Sequence, residues 1–123
     1  MYQPSQFQED RVPVMHDLMC AHPFATLISY ASDGISANHV PLVLHQDGSD
    51  FGTLRGHIAK ANGLANNFDA TVELLAVFAG PHHYVTPAWY PSKKQHGKVV
   101  PTWNYAVVHA YGPLRVIDDA DWL

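Results

Sequence analysis

The chain has 123 residues, 47% of them apolar and 15% charged, with a net charge of −4, which fits one domain, 1–123, built around one core. That charge argues against a broad nucleic-acid-binding surface, which needs clustered Lys and Arg to displace counterions; the one basic cluster, Lys93, Lys94 and Lys98, reads as a solvated loop. Cys20 is the sole cysteine, so no intrachain disulfide forms and a reducing cytoplasm is expected, while no run approaches the roughly 18 apolar residues of a membrane span.

After an extended start at Tyr2-Gln3-Pro4, Val12, Met15, Leu18 and Met19 fall at near-helical spacing. They predict an amphipathic helix with Asp10 as N-cap and Pro23 as stop, in which Cys20 is inert packing. Residues 24–30 read as a strand, Ser32-Asp33-Gly34 as a turn, and residues 35–44 as a second strand bent at Pro41. The next turn, 46–50, leads into a third strand over 51–58 that runs into a short helix over 59–68. Residues 72–78 form a dense apolar strand, buried on both faces or nearly so. Gly-Pro, Thr-Pro and Tyr-Pro then punctuate residues 78–94, which predicts repeated turning and no long regular element. Residues 99–108 and 110–117 give two last strands around Gly112-Pro113, and Asp118, Asp119 or Asp121 caps a final helix. Six or so short strands with few helices predict a mainly β, α+β fold, either a small antiparallel barrel or a sandwich.

Three segments carry more chemistry than packing requires. In the first, Val100-Pro101-Thr102-Trp103-Asn104-Tyr105, a flat apolar ring, an amide and a phenol stand side by side and suit a planar heteroaromatic ligand. Trp103 and Tyr105 share one face of this strand and Asn104 points to the other. In the second, 78–94, prolines stiffen a loop bearing Trp89 and Tyr90, followed by Ser92 and Lys93. In the third, Arg55, His57 and Lys60 gather where a strand gives way to a helical pattern, a combination fit for phosphate. The nine histidines show no HExxH pattern and no CxxC partner, so no metal site is expected.

These segments, with the opening Met1-Tyr2-Gln3-Pro4 and the stretch Ala21-His22-Pro23-Phe24-Ala25-Thr26-Leu27, resemble the PaiB-like FMN-binding negative transcriptional regulators from the first residue to about Asp118. The resemblance implies an antiparallel, Greek-key-like split β-barrel that pairs as a homodimer with FMN in the cleft between subunits. Two departures stand out. Relatives continue for several dozen residues beyond Asp121-Trp122-Leu123, and they tend to carry Pro-Gln-Trp where this chain has Gly63-Leu64-Ala65.

FMN presents a phosphate, a polar ribityl chain and a flat ring. On this reading Arg55 grips the phosphate with forked donors, Lys60 adds a point charge, and His57 donates to phosphate or ribityl oxygens. Trp89 and Tyr90 are stacking or lid aromatics, Trp103 is a wall, and Thr102 and Asn104 meet the ring's polar edge. Ser92 and Lys93 reach a phosphate from the partner subunit. The function expected is an FMN-binding regulator. The alternatives are an FMN-dependent oxidoreductase on the same scaffold, although no residue is a convincing general base, and, with less support, a haem-binding protein with a histidine axial ligand. Direct DNA readout is not expected, since no helix-turn-helix is visible.

Overall fold

In the computed structural model, which describes residues 1–122 apart from the side chains at 95, 96 and 120, helix α1 (Val12–Ala21) forms where the apolar spacing predicts it. Its N-cap is Arg11 rather than Asp10, with Pro13 in the first turn, where a missing N–H does no harm. No side chain caps the first turn; Glu9 instead steadies Arg11, its carboxylate accepting the Arg11 backbone N–H at 2.8 Å and pairing with the guanidinium at 2.6 Å. Those hydrogen bonds from Arg11 lower the Glu9 pKa to about 2. Cys20 is exposed rather than packed.

Strands β1 (Phe24–Ala31) and β2 (Gly34–Pro41) form a tight antiparallel hairpin in register from Phe24↔Pro41 to Ala31↔Gly34. The bend at Pro41 releases the chain into β3 (Val43–His45), which pairs with β4 (Thr53–Arg55). The third strand is thus much shorter than 51–58. The loop between them is tied by Asp47, which accepts from the Ser49 hydroxyl at 2.6 Å and the Thr53 hydroxyl at 2.5 Å and is held well below the usual carboxylate range by those donors.

The helix expected over 59–68 is only a 3₁₀ turn at Gly63–Ala65. Asn62 opens it by accepting the Leu64 N–H at 2.9 Å while donating to Asn38 at 2.8 Å. Glycine and asparagines disfavour a longer helix, because glycine is entropically costly and asparagine offers the backbone local alternatives.

Strand β5 (Leu74–Val85) overturns the expectation of repeated turning after residue 78. It runs straight through Gly80-Pro81 as a bulge: Ala79 pairs with Val107 and His82 with Tyr105, leaving two residues opposite Ala106. Proline's missing N–H falls where the ladder is already broken. Gly80 suits the close packing there, since a Cβ would meet Leu18 Cδ1 at 3.0 Å and the Ala106 carbonyl at 3.2 Å. Beyond it, Pro87–Trp89 form a 3₁₀ turn and Lys93–His96 a single helical turn, α2. The two last strands predicted are one, β6 (Thr102–Gly112), and the final helix is a 3₁₀ turn at Ala120–Trp122.

The result is an α+β fold of mostly antiparallel strands. One sheet has the order β2-β1-β5-β6 and a second consists of β3-β4. Among the described residues the two are not joined into a closed barrel. The core lies between the larger sheet and the layer made by α1 with β3-β4: Met19, Ala25, Val40, Leu42, Ala76 and Phe78, with Leu18, Leu44, Leu54, Ile58 and Val108 against them. Alternation turns the opposite face outward, carrying Phe24, Tyr30 and Ile35 from the hairpin and Trp103, Tyr105 and Tyr111 from β6, all exposed. No helix among the described residues is long and apolar enough to cross a membrane.

Candidate functional site

The aromatic part of the site is built by register. Because β5 gains a residue at its bulge, His82 and Tyr84 fall on the outward face opposite Tyr105 and Trp103. Trp103 Nε1 donates to His82 Nδ1 at 3.2 Å, the two rings stack at 5.7 Å between centroids, and Tyr84 lies 6.0 Å from the same indole. This hydrogen bond fixes the His82 tautomer with its proton on Nε2 and holds the indole plane. Trp103 remains 54% exposed and Tyr105 61%, so a planar ligand has a flat, preorganised surface to meet.

Next to this cluster is a concavity of about 500 Å³ bordered by Gly80, His82, Trp103, Tyr105 and His109. His109 Nδ1 is buried and has no hydrogen-bond partner among the described residues. Burial, and to a lesser degree the nearby Met1 ammonium, lower the His109 pKa, since both disfavour a charged ring.

The cationic part lies at the end of the smaller sheet and in the loop that follows. Arg55 ends β4, and Gly56 follows because a Cβ there would meet Leu42 Cδ2 at 2.7 Å and the Pro41 carbonyl at 2.9 Å. That close approach pins the backbone between Arg55 and His57, both exposed. Lys60 Nζ is 3.1 Å from Asp118 Oδ1, and the Arg55 guanidinium lies 5.4 Å from the centre of the Trp122 ring. Both cations therefore meet the same short segment. The backbone N–H groups of residues 58–61 do not open a helix, so the dipole contribution expected for phosphate there is absent.

The remaining expected residues are spread around these two groups. Trp89 lies 6.1 Å from the His83 ring, at the far end of β5. Tyr90 is exposed beside it, Ser92 immediately precedes α2 without a side-chain capping bond, and Lys93 is exposed in α2. Thr102, half-buried, and Asn104 alternate away from Trp103. The structure thus gathers Trp103 with Tyr105, His82 and Tyr84, and Arg55 with Lys60. It does not bring the cations and the indole together within the chain: Arg55 ends the smaller sheet and Lys60 follows in the loop after it, Trp103 stands on the larger sheet, and no hydrogen bond or ring contact joins them among the described residues. His82, His109, Asp118 and Trp122 belong to these surroundings and were not singled out as ligand contacts by sequence. For His109 the signal was present, as the alternation Trp103, Tyr105, Val107, His109, which puts it on the same face as the two rings.

Comparison with known proteins identifies the family. The profile of the family described as "Putative FMN-binding domain" matches residues 1–123. An uncharacterized protein of Saccharomyces cerevisiae is 40% identical over 91 residues, covering 73% of this chain and 54% of the relative. An uncharacterized protein of Emericella nidulans is 35% identical, covering 98% of this chain and 58% of the relative. The Bacillus subtilis protease synthase and sporulation protein PAI 2 is 30% identical over 118 residues, covering 96% of this chain and 54% of that protein. The chain spans a little over half the length of these relatives.

Proposed function

Given that this chain belongs to the FMN-binding domain family, we propose that it is an FMN-binding regulatory protein of the PaiB type that works in the cytoplasm as a homodimer. The donor set fits the cofactor. Arg55, Lys60 and His57 supply a forked donor, a point charge and a ring N–H donor for a terminal phosphate, and Trp103 with Tyr105 supplies a wall for the ring. Trp89, Tyr90, Ser92, Lys93, Thr102 and Asn104 are the contributors to the rim and the polar edge, with the 89–93 loop acting across the subunit boundary. When bound, FMN supplies one- and two-electron redox chemistry. The chain's own part is to bind it, orient it and exclude water.

The observation that carries the reading is the outward face of the larger sheet. Trp103, Tyr105, Tyr111, Tyr30, Phe24 and Ile35 stand bare on one surface, and a concavity opens at its Trp103 end. A face of this kind is finished by a partner, and a two-fold copy covers it with itself while supplying the second wall of a ligand cleft. A regulatory role is supported by the B. subtilis relative, whose name links it to protease synthesis and sporulation.

The absorption spectrum of the purified protein after incubation with FMN tests this first. Flavin bands that co-elute with protein are expected, and haem bands would overturn the reading. Arg55→Ala should weaken FMN more than riboflavin, whereas equal loss for both would remove the phosphate from this corner. Repeated turnover of reduced nicotinamide by the bound flavin would replace the regulator with an oxidoreductase.

A further inference from the structure

The two cations assigned to phosphate are already partnered, and by one segment. Asp118 pairs with Lys60 at 3.1 Å, and Trp122 lies against Arg55 at 5.4 Å. The turn between them is tied internally, with Asp119 Oδ1 accepting the Asp121 N–H at 2.9 Å and the Asp119 carbonyl accepting the Trp122 N–H at 3.3 Å. The two contacts differ in what they leave available. A guanidinium against a ring keeps its N–H donors free along its edge, so Trp122 steadies Arg55 without consuming the groups that grip a phosphate. A carboxylate on an ammonium occupies the same charge that a phosphate needs.

We propose that residues 118–122 form a self-masking strap over the phosphate corner, in which Trp122 anchors the segment on Arg55 and Asp118 stands in for phosphate on Lys60 until a phosphate-bearing ligand displaces it. The proposal rests on the assignment of phosphate to Arg55 and Lys60. The exchange is one anion for another. Asp118 is released into water beside a side chain that is itself 87% exposed, and a dianionic phosphate holds the ammonium more strongly than a single carboxylate does. Because the pair is exposed, the mask is weak: it sets a threshold for ligands carrying phosphate and leaves uncharged flavins unaffected.

The test is FMN and riboflavin titration of the 123-residue chain and its variants at low salt. Asp118→Asn should tighten FMN about two- to five-fold, the range expected for one exposed ion pair, and leave riboflavin unchanged. The gain should vanish in the Lys60→Ala background, where there is nothing to unmask. Asp119→Asn removes the same charge one residue away from a carboxylate that faces its own turn, and should leave FMN affinity as it was. No gain in Asp118→Asn, or an equal gain in Asp119→Asn, would overturn the strap. If Lys60→Ala and Arg55→Ala weaken FMN selectively while Asp118→Asn does nothing, the strap alone falls. If neither cation variant discriminates FMN from riboflavin, the phosphate assignment falls with it.

Discussion

The two faces of the larger sheet are made by alternating residues of the same strands, yet they are finished differently. The inward face uses small side chains, Ala25, Ser29 and Ala76, around a fully buried Phe78, and is sealed by α1 and the β3-β4 hairpin. The outward face uses larger rings, Phe24, Tyr30, Trp103, Tyr105 and Tyr111, and nothing in the chain covers them among the described residues. An antiparallel sheet made only to fold puts its apolar groups in and polar groups out. Here hydrophobicity does not separate the faces; coverage does. The inward face is what this chain folds with, and the outward face is left in solvent.

The sharpest way to break this comparison is to truncate one ring on each face. Phe78→Ala should destabilise the protein by about 3–5 kcal/mol, because Phe78 is 0% exposed and the sheet and helix around it cannot collapse into the space. Tyr105→Ala should stay within about 0.5 kcal/mol in thermal melts of dilute protein. Similar losses for the two would make the outward face a second core. Next in size, Tyr105→Glu puts a charge on each side of the proposed two-fold interface and should weaken self-association at least about ten-fold, roughly 1.4 kcal/mol, in sedimentation across a concentration series. The effect on ligand is smaller. Trp103→Phe should hold FMN better than Trp103→Ala by about 0.5–1.5 kcal/mol, with the difference absent from the melting temperature of the free protein.

The smallest expected effect concerns pH. The His109 ring faces Tyr111 on β6 and the Met1 ammonium, and His39 lies on the same cross-strand row through Thr26 and Val77. Burial lowers the folded pKa, so the unfolded chain takes up the proton first as pH falls below the ordinary value of 6.5. The contribution of His109 to stability is therefore complete above that value and is lost as pH falls through the lowered one. Melts on either side of it should show the slope, and His109→Gln should flatten it. An unchanged slope in that variant would mean that another group carries it.

How much of this was legible in the sequence depends on whether a feature is local. The β1-β2 hairpin was, because Pro23, Asp33-Gly34 and Pro41 punctuate it at each end. The shared face of Trp103 and Tyr105 was legible from alternation alone. Which way that face points was not, since it depends on where Leu18 and Met19 of α1 pack. The full length of β5 is not legible, because Gly80-Pro81 has the signature of a turn, and a bulge that absorbs an extra residue leaves no mark distinct from a turn in one strand's sequence. Arg55 and Lys60 were recognisable as neighbouring cations, but Asp118 and Trp122 were not recognisable as their partners, because more than fifty residues separate each pair and only the fold closes the distance.

The central claim, that the outward face pairs two copies around a flavin cleft, is tested most directly by sedimentation velocity of the FMN-loaded protein recorded in the flavin absorption band. The account predicts that all bound flavin sediments with the dimer, and that Tyr105→Glu produces monomer from which the flavin has been lost. Flavin sedimenting with a monomer at undiminished affinity would contradict it.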